Sequence, residues 1–191
     1  INLVIQSTRR IDQSIPTINT ILSQKPNRLV IISHLGRPKG KDPLLSLKPV
    51  LSYLSNKINK EIVLTSLEDF DKVKDNKIIM LENIRYYKEE TKQLSTTNEF
   101  RKTLSSLGNV FVNDAFGCCH RAHSSIVGIN TKEKYLGHII KNELKYLNCF
   151  NTVKGKKSLI LGGSKVSDKI QLIKNLIPNV DNILIGGGMV F

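Results

Sequence analysis

The sequence predicts an α/β fold with a three-layer architecture, in which helices cover both faces of a mostly parallel sheet. Short β-branched apolar runs alternate with segments whose apolar residues recur at helical spacing, and polar or glycine-containing turns separate them. Several of these runs are continuous rather than alternating, which is typical of parallel strands buried on both faces. With 191 residues, the chain has room for one domain and part of another, because domains cluster near roughly 100–150 residues.

Each element follows from its own pattern. Helical spacing predicts an opening helix through four apolar residues from Ile11 to Leu22, in which Pro16 should lie near the first turn or produce a kink. The other predicted helices cover residues 47–58, 91–107, 141–150 and 165–176, and the predicted strands cover residues 29–32, 62–64, 77–81, 110–112, 158–161 and 182–185. These elements describe a Rossmann-like domain followed by one βαβ unit, which is too small to form a core by itself.

Charge and composition narrow the class of protein. The chain carries a formal net charge of +13, with 6% aromatic residues and no tryptophan. Abundant solvated lysines would explain that charge, and so would an anionic partner such as nucleic acid, an anionic lipid or a phosphorylated metabolite. No apolar run approaches the roughly 18 residues of a membrane span, so we do not expect a membrane protein. The three cysteines fit neither a disulfide framework nor a metal site, which favours a reducing, cytoplasmic setting.

Basic side chains follow three of the predicted strands, at the edge where ligands bind in open parallel sheets. His34 and Arg37 follow the first predicted strand, Arg85 follows the third, and His120 with Arg121 comes after the fourth. Arginine forks bind carboxylate and phosphate in a bidentate manner, and several in one cleft would repel each other without an anion between them. A single arginine would be an ordinary surface residue, but three of them predict a site for a small polyanion.

A glycine-rich turn, Gly162-Gly163-Ser164-Lys165, follows the fifth predicted strand. Glycines allow the backbone to approach a phosphate, and the N-terminus of the next helix adds unpaired N–H donors. The turn has neither the spacing of a Walker P-loop nor that of a dinucleotide fingerprint. Lys165 and Lys169 share one helix face, so they are either two phosphate-binding cations or two solvated lysines.

The histidines predict no metal site, because none is accompanied by a second histidine or a carboxylate at ligand spacing. They are His34, His120, His123 and His138. Hydrogen-bonding or core roles are favoured for them.

The order of these turns resembles that of the phosphoglycerate kinases, in register over essentially the whole chain. The motifs that carry the resemblance are Ser33-His34-Leu35-Gly36-Arg37-Pro38, Leu81-Glu82-Asn83-Ile84-Arg85, Val112-Asn113-Asp114-Ala115-Phe116-Gly117, His120-Arg121-Ala122-His123-Ser124-Ser125, Gly162-Gly163-Ser164-Lys165-Val166-Ser167-Asp168-Lys169-Ile170 and Gly186-Gly187-Gly188-Met189. Two positions depart from the family pattern: Cys118-Cys119 stands where small residues such as Thr-Ala are usual, and His138 stands where an aromatic residue is usual.

The resemblance implies phosphoryl transfer between 1,3-bisphosphoglycerate and Mg-ADP, which gives 3-phosphoglycerate and ATP without a covalent intermediate. It assigns the binding of the acid to Arg10, His34, Leu35, Gly36, Arg37, Arg85 and Arg121. Arg10 would be the catalytic arginine, and Lys165 would approach the same phosphoryl group from the nucleotide side. The nucleotide would be bound by Gly163, Ser164, Lys165, Lys169 and Gly187.

The resemblance also implies a division of the chain. Residues 1–140 correspond to the phosphoglycerate-binding domain without its first strand, residues 141–156 to an interdomain helix and linker, and residues 157–191 to the start of the nucleotide-binding domain. The ligands of magnesium would lie beyond that start. We therefore expect a fragment of a monomeric, cytoplasmic kinase that is inactive alone, with an organellar address left open because the natural N-terminus is expected upstream.

One alternative comes from a different class of protein. A basic α/β module that binds nucleic acid or another polyanion would interleave lysines with aromatic residues on one face. The low aromatic content and the arginines at strand ends favour the kinase, for which we expect no nucleic-acid partner.

Overall fold

The fold is described by a computed structural model that covers residues 4–92, 95, 98–163 and 170–190, except for the side chains of residues 149–151. The chain forms two compact units, Ile1–Glu143 and Leu144–Phe191. Their boundary falls within a helix, His138–Thr152. The domain limits expected from the resemblance remain a prediction.

The elements follow an α/β order. The helices are α1 (Arg9–Ser23), α2 (Lys48–Ile58), α3 (Phe70–Val73), α4 (Lys88–Thr91), α5 (Glu99–Ser106), α6 (Ser124–Val127), α7 (His138–Thr152) and α8 (Ile170–Leu176), and the strands are β1 (Leu29–Ile31), β2 (Val63–Thr65), β3 (Ile78–Leu81), β4 (Val110–Asn113), β5 (Glu133–Leu136), β6 (Ser158–Gly162) and β7 (Asn182–Gly186). Every strand pairing among the described residues is parallel: β3 lies between β1 and β2, β4 pairs with β5, and β6 pairs with β7. This arrangement confirms the predicted α/β class. No helix within the described ranges is both long and apolar enough to cross a membrane.

Strand β3 forms the centre of the core in the first unit. All four of its residues are buried, and it is paired on both edges, with β1 in register Leu29 to Ile78 and with β2 in register Val63 to Ile79. Its side chains alternate between two faces. Ile78 and Met80 pack with apolar residues of α1 and α2, whereas Leu81 packs with apolar residues of α5. Helices therefore cover both faces of this sheet, as its continuous apolar run predicts.

The prediction of a single helix over residues 91–107 is wrong. Helix α4 ends at Thr91, and α5 begins at Glu99. The side chain of Asn98 accepts a hydrogen bond of 3.0 Å from the backbone N–H of Phe100 and so caps the start of α5. Asparagine is among the preferred residues at this position, so the helix start was visible in the sequence.

Other boundaries also differ from prediction. Pro16 lies inside α1, beyond its first turn. The structure adds β5, which the sequence analysis did not predict because its four residues, Glu133–Leu136, are all exposed and carry no apolar run. Helix α8 is described from Ile170 onward, and the predicted start of that helix lies outside the described residues.

A single carboxylate joins α1, β4 and α7. Asp114, just after β4, accepts a hydrogen bond of 2.6 Å from the Thr17 hydroxyl and one of 2.8 Å from the N–H of Ile139. The Thr17 hydroxyl oxygen in turn accepts a 2.8 Å hydrogen bond from the N–H of His138. These bonds satisfy N–H groups that the first turn of α7 leaves unpaired. A Cβ atom at residue 137 would lie 2.2 Å from Asp114 Cγ, so glycine is required there.

Replacing Ile79 with alanine should lower the free energy of unfolding by roughly 2–5 kcal/mol, because the fully buried side chain would leave a cavity at the centre of the sheet. Val110 is the control: it is 50% exposed on β4, and its change to alanine should cost about 0.5 kcal/mol or less. Urea unfolding followed by circular dichroism measures both. Equal losses would contradict the central position of β3 in the core.

Candidate anion-binding site and glycine turn

The turn after β3 fixes the turn after β1. Asn83 is completely buried, and its side-chain amide donates hydrogen bonds to the carbonyl oxygens of Leu35, at 2.7 Å, and Leu45, at 2.9 Å. Its side-chain oxygen accepts a hydrogen bond of 3.2 Å from the N–H of Arg85. The backbone that carries Arg85 is therefore attached to the loop that carries His34.

Arg85 itself reaches into the loop after β1. Its Nη1 donates a 2.7 Å hydrogen bond to the carbonyl oxygen of Gly36. Gly36 has a φ angle of +62°, and a Cβ atom there would lie 2.9 Å from a methyl group of Leu45, so only glycine fits without strain. The Nε of Arg85 is buried without a hydrogen-bond partner among the described residues.

Four basic side chains lower the pKa of His34, which identifies the positive charges that lie near it. Burial is the main cause that lowers the pKa of His34, to about 4, and the positive charges of Arg85, His123, Arg10 and Arg121 lower it further. Since charges act strongly only over short distances in water and salt, each of these side chains lies close to His34. We call the five residues the basic cluster. A cluster of this kind attracts a small anion with more than one negative charge.

His123 was not predicted as a binding residue, because the sequence suggested only a hydrogen-bonding or core role for it. It is 8% exposed. Burial lowers its pKa, and the charges of Arg85, Arg121 and His120 lower it further. Its place two residues after Arg121 was the only available signal that it would lie close to the anion site.

The part of Arg37 in the anion site stays a prediction. Arg37 is exposed, as is Leu35, on the loop after β1. Within the described part of the chain the Arg37 side chain makes no hydrogen bond or ion pair. Arg10 is also exposed, in the first turn of α1, but its charge reaches His34.

The second unit brings two of the predicted nucleotide-binding glycines together. Strands β6 and β7 are paired in register as far as Gly162 and Gly186, so the next residues, Gly163 and Gly187, lie side by side. Gly187 has a φ angle of +69°, and a Cβ atom there would lie 3.3 Å from the carbonyl oxygen of Gly163. The backbones therefore approach closely, as a phosphate-binding turn requires. The remaining predicted residues, Ser164, Lys165 and Lys169, lie outside the described residues.

Two cysteines of the described chain lie on the segment that follows β4. Cys118 is half-buried, with its Sγ 4.0 Å from Nε2 of His34, and Cys119 is exposed; both are free thiols. Among the residues with described positions, no group of three or more His, Cys, Asp or Glu side chains is placed to hold a metal ion.

Comparison with known proteins gives a consistent result. The family model described as Phosphoglycerate kinase matches residues 1–191. The chain is 44% identical over 208 residues to a phosphoglycerate kinase of Dictyostelium discoideum, with 98% of the chain and 50% of that protein covered. It is 42% identical over 202 residues to one of Clostridioides difficile, with 98% and 49% covered. The chain thus spans about half the length of these relatives.

A solved structure of phosphoglycerate kinase from Coxiella burnetii superposes with a TM-score of 0.83 at 34% identity, and the match covers 99% of this chain and 49% of the other. One from Pyrococcus horikoshii OT3 gives a TM-score of 0.78 at 26% identity, with 98% and 49% covered.

An NMR titration should give His34 a pKa of about 4, and Arg85→Ala should raise that pKa without restoring the ordinary 6.5, because burial remains the largest cause. Arg9→Ala is the control, since Arg9 adjoins Arg10 but does not perturb His34. The unfolded chain takes up this proton first as the pH falls, so the stability of the fold should decrease as the pH falls from 6.5 to about 4 and stay lower below that. A pKa near 6.5 in the unaltered chain would contradict the convergence of the basic cluster.

Proposed function

The chain belongs to the phosphoglycerate kinase family, and from this premise we propose that it supplies the acid-binding part of an enzyme that transfers a phosphoryl group between 1,3-bisphosphoglycerate and Mg-ADP. The products are 3-phosphoglycerate and ATP, a step of glycolysis. The observation that carries the proposal is the convergence of Arg10, Arg85 and Arg121 on His34. Because the chain spans half of its relatives, the complete reaction belongs to the longer polypeptide that carries it.

The basic cluster suits the acid for electrostatic reasons. Phosphate and carboxylate groups both match the planar fork of arginine, and Arg85 and Arg121 supply such forks. With its pKa lowered to about 4, His34 is neutral at physiological pH and offers an N–H hydrogen bond rather than a charge. Leu35, Gly36 and Arg37 would complete the site from the loop after β1.

Catalysis would come from positioning and charge stabilisation. The phosphoryl group in transfer spreads negative charge over its equatorial oxygens, and fixed cations aimed at those oxygens lower the barrier. Arg10 would supply one such cation from the first turn of α1. Lys165 would supply another from the nucleotide side.

The nucleotide would be bound by the glycine turns of the second unit. The close approach of Gly163 and Gly187 supports this role, since bulkier residues would keep the backbone away from a phosphate or the adenosine group. Ser164, Lys165 and Lys169 would complete the phosphate contacts. Magnesium would arrive with the nucleotide, and we assign no residue of this chain to it.

The same proposal assigns a role to each part of the chain. Residues 1–140 would bind the acid, residues 141–156 would connect the two parts, and residues 157–191 would begin the nucleotide-binding part. The enzyme would act as a monomer in the cytoplasm.

Isothermal titration of the chain with 3-phosphoglycerate should show binding that Arg85→Ala or Arg121→Ala weakens by about 10-fold or more, because each removes a charge-assisted hydrogen bond. Arg9→Ala, which removes an equal charge beside the cluster, should leave the affinity nearly unchanged. Binding of generic DNA or RNA in preference to 3-phosphoglycerate would instead support the polyanion-binding module.

In the full-length polypeptide, Arg10→Ala should lower kcat by about 10²–10³-fold and change the KM for the acid much less, because its charge acts on the transition state. A coupled assay of ATP formation measures both constants, with Arg9→Ala as the control for net charge. Turnover that survives the change would remove Arg10 from the catalytic role.

A further inference from the structure

A buried carboxylate lies behind the basic cluster and has no part in the proposed chemistry. Glu90, in the four-residue helix α4, is 2% exposed. Glutamate is rarely buried to this extent unless its charge is compensated. Its position five residues after Arg85 places it between the two segments that carry the arginines of the site, so its hydrogen bonds show how these segments are held.

The carboxylate of Glu90 binds the segment that follows Arg121. Its two oxygens accept hydrogen bonds from the hydroxyl of Ser125, at 2.6 Å, and from the N–H of Ser125, at 2.9 Å. Nδ1 of His123 lies 3.6 Å from the same carboxylate. Both contacts fall within four residues of Arg121, so a shift of Glu90 would shift the backbone that carries this arginine.

Two further hydrogen bonds support the same attachment. The hydroxyl of Ser124, a completely buried residue, donates to the carbonyl oxygen of Glu89 at 2.8 Å. Arg101, which is 5% exposed on α5, donates from Nε to the oxygen of Ser124 at 3.3 Å. The segment after Arg121 is thus held by α4 and α5 together, through side chains that water does not reach.

The pKa of Glu90 lies above its ordinary value, because the effect of burial outweighs that of the hydrogen bonds and cations around the carboxyl group. Burial raises its pKa, while the Ser125 hydrogen bonds and the positive charges of Arg85 and Arg101 oppose that rise. Two cations, Arg85 near the anion site and Arg101 on α5, thus lower the pKa that burial raises. An uncharged side chain would neither hold the Ser125 donors as strongly nor offset these charges.

We propose that Glu90 is the positioning residue that holds the Arg121 segment against the Arg85 segment, so that the two guanidinium groups face one anion. This proposal rests on the proposed function. Glu90 would not touch the acid, because its carboxylate is occupied by Ser125 and lies beneath the surface.

The charge of Glu90 and its positioning role predict opposite effects, which makes the proposal testable. Removal of a negative charge near the cluster would, by itself, strengthen anion binding and lower the pKa of His34 further. Displacement of Arg121 would weaken anion binding and raise the pKa of His34, because one of the charges that depress it would leave. The signs of the two changes therefore distinguish the roles.

The test compares Glu90→Gln with Glu89→Gln, which removes the same charge from the neighbouring residue, whose main-chain carbonyl makes the bond to Ser124. Titration with 3-phosphoglycerate and an NMR titration of His34 are measured on each chain. We expect Glu90→Gln to weaken binding at least about 10-fold and to raise the pKa of His34, whereas Glu89→Gln should change neither. Unchanged or stronger binding, with an unchanged or lower pKa, would overturn the proposal.

A second variant covers the case in which Glu90→Gln fails to fold. Ser125→Ala removes only the hydroxyl donor and should weaken binding by about fivefold, with the pKa of His34 again raised; no change in either measurement would count against Glu90. If the unaltered chain does not bind 3-phosphoglycerate, the proposed function fails. The pKa of His34 then decides on the positioning role alone. A rise of that pKa in the variants supports the role, and the absence of a rise refutes it.

Discussion

The arrangement of the first unit depends on Glu82 and Asn83, the two polar residues that follow the buried strand β3. The carboxylate of Glu82 accepts hydrogen bonds from the hydroxyl of Ser46 and from the N–H groups of Leu47 and Asn83, at 2.7–2.9 Å. The amide of Asn83 then binds the carbonyl oxygen of Leu35. A buried polar group without a partner costs roughly 1–3 kcal/mol, so these loops have little freedom to adopt another path. The position of Arg85 follows from this requirement.

Electrostatic repulsion opposes that geometry, because the site brings several positively charged side chains close to His34. Arginine remains charged when it is crowded, whereas histidine responds by losing its proton. The lowered pKa values of His34 and His123 thus relieve part of the repulsion among Arg10, Arg85 and Arg121. The buried carboxylate of Glu90 offsets more of it from beneath the surface. The free site is therefore positively charged through its arginines, while its two histidines stay neutral more readily than free histidine does.

The sequence predicted the parallel strands and the arginines at their ends, because a continuous apolar run and the residue after it are both local features. It did not predict β5, whose exposed residues owe their conformation to pairing with β4. Nor did it identify Glu90 or His123, since burial of a polar side chain depends on distant segments that meet only in the fold.

The hydrogen bonds at Asp114 bear on the order in which the chain can become structured. Thr17 is 97 residues from Asp114 and 121 residues from His138. At a ribosomal rate of about 5–20 residues per second, α1 waits roughly 6–24 seconds after its own synthesis before α7 begins to emerge. The apolar residues of α1 pack with α2 and β3, which are made sooner, so only the hydrogen bonds of Thr17 wait for α7. The position of α1, the helix that carries Arg10, is therefore fixed in two steps, first by apolar packing and later by the hydrogen bonds at Asp114.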